Sequence, residues 1–167
     1  MTEGIHLEIK MTNSFAKLKI PDESAMLALG AKLAAVCPSH CVIFLYGQLG
    51  AGKTTFTRGF LRGLGYQGLV KSPTYTLVES YSFKKSTIHH FDFYRLRDPH
   101  ELEYMGIQDY FAENTICLIE WPDYGAGLLP AADLACYIEH CTPGREVKLV
   151  PGSAQGNDIL HRFENNE

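Results

Sequence analysis

Apolar positions along the chain follow two rhythms. The runs VIFLY, from Val42 to Tyr46, and TICLIE, from Thr115 to Glu120, are short and almost unbroken. Such runs predict strands buried on both faces, as at the centre of a parallel sheet. Elsewhere the spacing is helical. After Asp22, the residues Met26, Leu27, Leu29, Leu33 and Ala34 form one apolar stripe up to Cys37; Asp22 or Ser24 can cap its start, and Pro38 ends it. A second helix is expected from Lys53 to about Leu64, ending near Gly65. A third, short one is capped by Asp98, with Pro99 in its first position and Leu102 and Met105 facing inward.

The remaining extended stretches are shorter or alternate. Phe15, Leu18 and Ile20 predict an edge strand that stops at Pro21. Thr74–Phe83 and Thr87–Leu96 read as a hairpin closed through KKS, and DLACYIEH and REVKLV as two late strands around Pro143–Gly144. Within HHFDFYRL, Ile88, His90, Asp92 and Tyr94 point one way, and His89, Phe91, Phe93 and Arg95 the other. The adjacent histidines therefore cannot chelate together. Helices interleaved with apolar strands predict a three-layer α/β domain with a mixed, mostly parallel central sheet and antiparallel edge strands. One domain over 1–167 is expected, with 1–12 and 155–167 as flexible ends.

Composition narrows the function classes. No apolar run approaches the ~20 residues a membrane helix needs, and MTEGIHLEIK lacks the basic-then-apolar pattern of a secretory leader. No membrane association and a cytoplasmic location are the expectation. The net charge of −4 argues against a nucleic-acid clamp, and Arg58, Arg62, Lys71, Lys84 and Lys85 are scattered. Cys37, His40 and Cys41 in CPSHC and Cys136, His140 and Cys141 in CYIEHC could together supply a zinc site. A strand reading of the second cluster separates its members, so reduced, partly buried thiols are expected instead.

The most informative stretch joins the first buried strand to the second helix. Gly47, Gln48, Leu49, Gly50, Ala51, Gly52, Lys53 and Thr54 satisfy GxxxxGK[ST]. Backbone N–H groups can converge on a phosphate only where the loop lacks bulky Cβ groups, and the helix beginning at Lys53 adds unpaired N–H donors. Lys53 would reach the β- and γ-phosphates and Thr54 would ligate Mg²⁺. No NKxD or LSGGQ sequence follows, which favours ATP over GTP and argues against an ABC-type ATPase.

A phosphate loop also needs an acid at the end of a neighbouring strand, and Glu120 closes ICLIE. Trp121 beside it is read either as a sensor of nucleotide or partner, or as packing. Asp92 is read either as orienting water or Mg²⁺, or as paired with an arginine. Ser72 and Thr74 around Pro73 could contact Mg²⁺ or the γ-phosphate as switch loops do, or could simply launch a strand.

Taken together, LYGQLGAGKTTFTRGFLRGLG, VKSPTYTLVESY, HFDFYRL, LEYMGIQDYF and ICLIEWPDYGAGLLP resemble the TsaE family over about Pro21 to Val150. The resemblance implies a P-loop NTPase-like fold and an ATPase of tRNA threonylcarbamoyladenosine biosynthesis, using ATP and Mg²⁺. It implies that the chain docks on TsaB and TsaD, meets tRNA only through that complex, and permits repeated turnover. By position it implies catalytic roles for Lys53, Asp92 and Glu120. It places ATP on Gly47 through Thr55 and Mg²⁺ on Thr54 and Glu120. A switch-like, partner-sensing set falls on Ser72, Thr74, Tyr75 and Trp121. The nucleotide base is bordered in this family by positions matching Glu23, Asp123 and Arg145. Gln48, Ser80 and Asp123 depart from the usual family residues without removing a phosphate or metal contact. Two other readings are a small-molecule kinase, for which no arginine-rich lid is visible, and a non-catalytic ATP-sensing subunit.

Overall fold

The computed structural model describes residues 5, 7–12 and 14–166. Its strands are β1 (Glu8–Met11), β2 (Ala16–Ile20), β3 (Cys41–Tyr46), β4 (Val78–Ser82), β5 (Thr87–Asp92), β6 (Thr115–Glu120), β7 (Leu134–His140) and β8 (Arg145–Pro151). The helices are α1 (Glu23–Val36), α2 (Lys53–Gly63), α3 (His100–Tyr104) and α4 (Ala154–Asn165), with 3₁₀ segments at Ile107–Phe111 and Pro122–Gly125.

The strands make one sheet in the order β1-β2-β8-β7-β3-β6-β5-β4. The four central strands, β7, β3, β6 and β5, run parallel; the outer pairings are antiparallel. Burial explains the arrangement. Every residue of β6 is buried, so both its faces must be covered. Residues of α1, α2 and α4 pack on one face with Ile43, Leu45, Ile116 and Leu118. On the other face, Leu102 of α3 and Ile107 pack with Val42, Phe91 and Ile119. The result is the expected three-layer α/β fold, with a thinner second layer.

Helix α1 starts where expected, with the Asp22 carboxylate accepting from the Ala25 amide at 2.8 Å. Its contact with α2 is backbone against backbone. A Cβ on Gly30 would lie 2.2 Å from the Phe56 carbonyl oxygen, and one on Gly59 would lie 2.2 Å from that of Leu27. This close crossing fixes α2, and with it the glycine turn.

Several expectations change. β2 is not an edge strand, because β1 pairs with it on its outer side. The stretch from 155, expected to be a flexible end, belongs to α4; Ser153 caps that helix, and Ile159, Leu160 and Phe163 are buried beneath it. At the other end Glu8–Met11 forms β1, while residues 1–4, 6 and 167 of the expected flexible ends lie outside the described residues. The hairpin is shorter than Thr74–Phe83 and Thr87–Leu96. The Leu77 amide closes a turn onto the Pro73 carbonyl at 2.9 Å, and Leu77 sits at φ 66°. β5 ends at Asp92, whose carboxylate accepts from the Tyr94 amide at 2.9 Å.

The cysteines are free. Cys136 pairs with Leu45 across the β3–β7 ladder, four residues and so about 13 Å along the strand from Cys41. The two Cys/His clusters do not converge. Burial pushes the Cys117 and Cys136 thiols up to about 12. No helix among the described residues is long and apolar enough to cross a membrane.

Candidate functional site: a glycine loop above the parallel strand ends

Parallel pairing brings the site residues to one edge. Leu45 is opposite Glu120, and Glu120 is opposite Asp92, so β3, β6 and β5 finish at the same level. In an open α/β sheet this carboxyl edge is where ligands settle. Alternation then selects the face: Ile116, Leu118 and Glu120 share the α2 side with Ile88, His90 and Asp92.

The chain leaves β3 through Gly47 and turns, with the Ala51 amide donating to the Gln48 carbonyl at 3.0 Å. Gly50, at φ 75°, and Gly52, at φ 116°, occupy left-handed conformations that favour glycine. Nothing lies within 4 Å of where a Gly50 Cβ would be, so the loop has open space at that position. Gly52 caps α2 without a side chain, and the first turn of that helix holds no acid. Its unpaired amides and positive dipole end thus remain available to an anion.

Lys53 opens α2 and is only 5% exposed. Its ammonium donates to the Gly47 and Gln48 carbonyls and lies 4.5 Å from the Trp121 ring centroid. Burial lowers its pKa from the ordinary 10.5, while Glu120 and Asp92 pull the other way. Trp121 has φ 55°, an uncommon backbone conformation for a large side chain. That bend turns the chain from β6 into the Pro122–Gly125 segment and sets the indole over the lysine. Trp121 also lies beside Tyr94, with ring centroids 5.1 Å apart.

Under the loop, the Thr54 hydroxyl donates to Glu120 Oε2 at 3.3 Å, and His90 Nε2 donates to the same oxygen at 2.6 Å. Asp92 accepts from the Thr74 hydroxyl at 3.2 Å, and Thr74 hydrogen-bonds Ser72 at 2.7 Å. Of the two readings of Asp92, the arginine pair is not what forms; its partners are Thr74 and the Tyr94 amide. Burial raises the Asp92 pKa above 3.8, against the pull of those hydrogen bonds. Ser72 and Thr74 therefore reach the acidic cluster, whereas Tyr75 is 80% exposed and carries the Arg95 guanidinium on its ring.

A hydroxyl and two carboxylates gathered beneath an open amide loop are hard oxygen donors that suit Mg²⁺, with Thr54 and Glu120 nearest each other. Among the described residues no three His, Cys, Asp or Glu side chains gather as a metal centre of their own.

Glu23 and Arg145 line a hollow of about 220 Å³ with Gly50, Ala51, Gly52 and Thr55. Arg145 also donates to the Ala51 and Gly50 carbonyls at 3.0 and 3.2 Å, bracing the loop from outside. Asp123 does not join them. It accepts from the Tyr46 hydroxyl at 3.4 Å and borders a separate cleft of about 640 Å³. Tyr46 and Tyr137 stack there with centroids 4.7 Å apart. Burial, then Asp123, pushes the Tyr46 hydroxyl up to about 12. Glu23 and Arg145 thus border one hollow and Asp123 another, with residues of the loop lining both. Sequence reasoning also missed His90. Its signal was its place on the Asp92 face, but the partner lies on another strand.

Residues 20–147 match the family model described as threonylcarbamoyl adenosine biosynthesis protein TsaE. A Haemophilus influenzae protein named tRNA threonylcarbamoyladenosine biosynthesis protein TsaE is 49% identical over 87% of this chain and 96% of its own length. A Bacillus subtilis protein of the same name is 36% identical over 82% of this chain and 83% of its own. The crystal structure of Bacillus subtilis YdiB superposes with a TM-score of 0.78 and 26% identity, covering 95% of this chain and 97% of that one. With a P-loop-like fold, the strand-end acid in register and relatives at these identities, the chain belongs to the TsaE family of threonylcarbamoyl adenosine biosynthesis proteins.

Proposed function

We propose that this chain is the ATP-binding and ATP-hydrolysing component of the tRNA N6-threonylcarbamoyladenosine machinery, acting in the cytoplasm with TsaB and TsaD so that they turn over repeatedly. The observation that carries the reading is the convergence of Lys53, Thr54 and Glu120 at the Gly47–Thr54 loop. The role assigned to the relatives by name supplies the pathway. tRNA is met through the complex, in keeping with a net charge of −4.

In this reading the loop amides and the start of α2 enclose the phosphates. Lys53 exchanges its two loop carbonyls for phosphate oxygens, a stronger attraction for an ammonium. Thr54 and Glu120 would hold Mg²⁺, which when bound offsets charge building on the transferring phosphoryl group. Asp92, tethered by Thr74 and the Tyr94 amide, is the remaining acid placed to orient the attacking water. Arg145 keeps the loop in shape, and the hollow it shares with Glu23 is where the nucleoside end would lie.

The test is reconstitution with TsaB, TsaD and substrate tRNA, counting modified tRNAs per complex. Wild-type protein should sustain many rounds and Lys53→Ala should stop after about one. Repeated rounds with Lys53→Ala would show the reading to be wrong.

A further inference from the structure

His90 is fully buried, two residues before Asp92 on β5, and its Nε2 lies 2.6 Å from Glu120 Oε2. A carboxylate oxygen accepts, so the ring proton sits on Nε2. The other ring nitrogen, Nδ1, is buried without a hydrogen-bond partner among the described residues. Burying a polar atom unpaired is unfavourable compared with an apolar side chain of similar size. Ile88, two residues earlier on the same face, is fully buried as an apolar side chain. Packing alone does not account for a histidine at position 90.

Register explains what the ring can do. His90 is opposite Leu118 and Asp92 is opposite Glu120, so the imidazole lies diagonally beneath the Glu120 carboxylate on the same face. The Thr54 hydroxyl donates to Oε2 as well. Both of these hydrogen bonds fall on one oxygen, which fixes the rotation of the carboxylate. We propose that His90 is a positioning residue: by clamping Glu120 Oε2 it aims the rest of the carboxylate, together with the Thr54 hydroxyl, at the divalent cation that accompanies the nucleotide. This rests on the ATP-binding function proposed above. Partners that orient a metal-binding group in this way typically change metal affinity by about 10–100-fold when removed.

The experiment titrates Mg²⁺ into wild-type, His90→Phe and His90→Gln proteins saturated with ADP, and measures ADP affinity separately in EDTA. His90→Phe should need about 10–100-fold more Mg²⁺ with EDTA affinity unchanged. His90→Gln, which keeps a donor near Nε2, should recover most of the loss. Wild-type Mg²⁺ dependence in His90→Phe would overturn the proposal. So would an equal loss with and without the metal, the mark of a merely structural role. Should either variant fail to fold, nitrogen NMR of the wild-type ring decides: an Nε2-protonated imidazole whose signal moves when Mg²⁺ joins the ADP complex supports the clamp. Protonation at Nδ1, or a signal silent to Mg²⁺, overturns it. A wild-type chain that binds ADP with no Mg²⁺ effect contradicts the proposed function itself, whatever the tautomer.

Discussion

Lys53 is folded back against Trp121: its ammonium lies 4.5 Å from the indole centroid while donating to carbonyls of its own loop. The lysine is held by its own chain in the place where a phosphate would compete for it. On the proposed function, a phosphate drawing the ammonium away would disturb a cation–π contact that involves the only tryptophan in the sequence.

Mg²⁺-ATP should consequently change Trp121 fluorescence, and Lys53→Ala should both abolish the change and weaken binding. Losing one or two charge-assisted hydrogen bonds, at roughly 1.5–3 kcal/mol each, corresponds to about 10–100-fold or more in affinity. The pH dependence has a definite sign. Burial holds the Lys53 pKa below the ordinary 10.5, so affinity should begin to fall below that pH as the ammonium deprotonates. Over the same window the unfolded chain binds the extra proton, so this residue's contribution to folding stability rises with pH. Fluorescence titrations from neutral to alkaline pH, paired with thermal melts, check both.

Asp92 shows the opposite balance. Its pKa is raised above 3.8 by burial, so the folded chain penalises the ionised form, and this contribution to stability declines as pH rises through the raised value. Asp92→Asn removes the charge while keeping an acceptor for the Tyr94 amide. It should melt at or above the wild-type temperature at neutral pH while losing ATP hydrolysis. A variant that is both active and less stable would contradict the role given to this carboxylate.

Arg145 braces the loop through two carbonyls on residues remote in sequence. Arg145→Ala should weaken nucleotide binding by about tenfold or more, since hydrogen bonds from charged groups are worth roughly 1.5–3 kcal/mol. Lysine cannot reproduce the forked geometry, so Arg145→Lys should recover little of the loss. Calorimetry on the two variants measures this directly.

The α1–α2 crossing should be intolerant of a single methyl group. Gly59→Ala places a Cβ 2.2 Å from the Leu27 carbonyl oxygen, and the shift this forces should cost about 1–3 kcal/mol. At roughly 2–4 °C per kcal/mol for a chain of this size, the melting temperature should drop by several degrees. Nucleotide affinity should fall with it, because α2 carries the loop.

The parts of the molecule governed by local chemistry could be read from the residues. The unbroken run TICLIE became β6 with the expected ends, and the glycine spacing marked the turn that leads into α2 at Lys53. The C-terminal helix was hidden by Gly156 and Asn157, poor helix formers in its first turn, although Ser153 and the spacing of Ile159 and Phe163 carried the signal. Contacts set by long-range register were not legible. His90 reaches Glu120 only because β5 and β6 pair in parallel. Asp123 and Arg145 border different hollows, and nothing in the local sequence around Asp123 encodes that separation.

The central claim is that the loop from Gly47 to Thr54 holds a triphosphate with Mg²⁺ bridging it to Thr54 and Glu120. Calorimetric titration of a non-hydrolysable ATP analogue into the folded wild-type chain, with Mg²⁺ and then with EDTA, tests it most directly. One saturable site that weakens markedly when the metal is withheld is the predicted result. No uptake, or uptake indifferent to Mg²⁺, would contradict it.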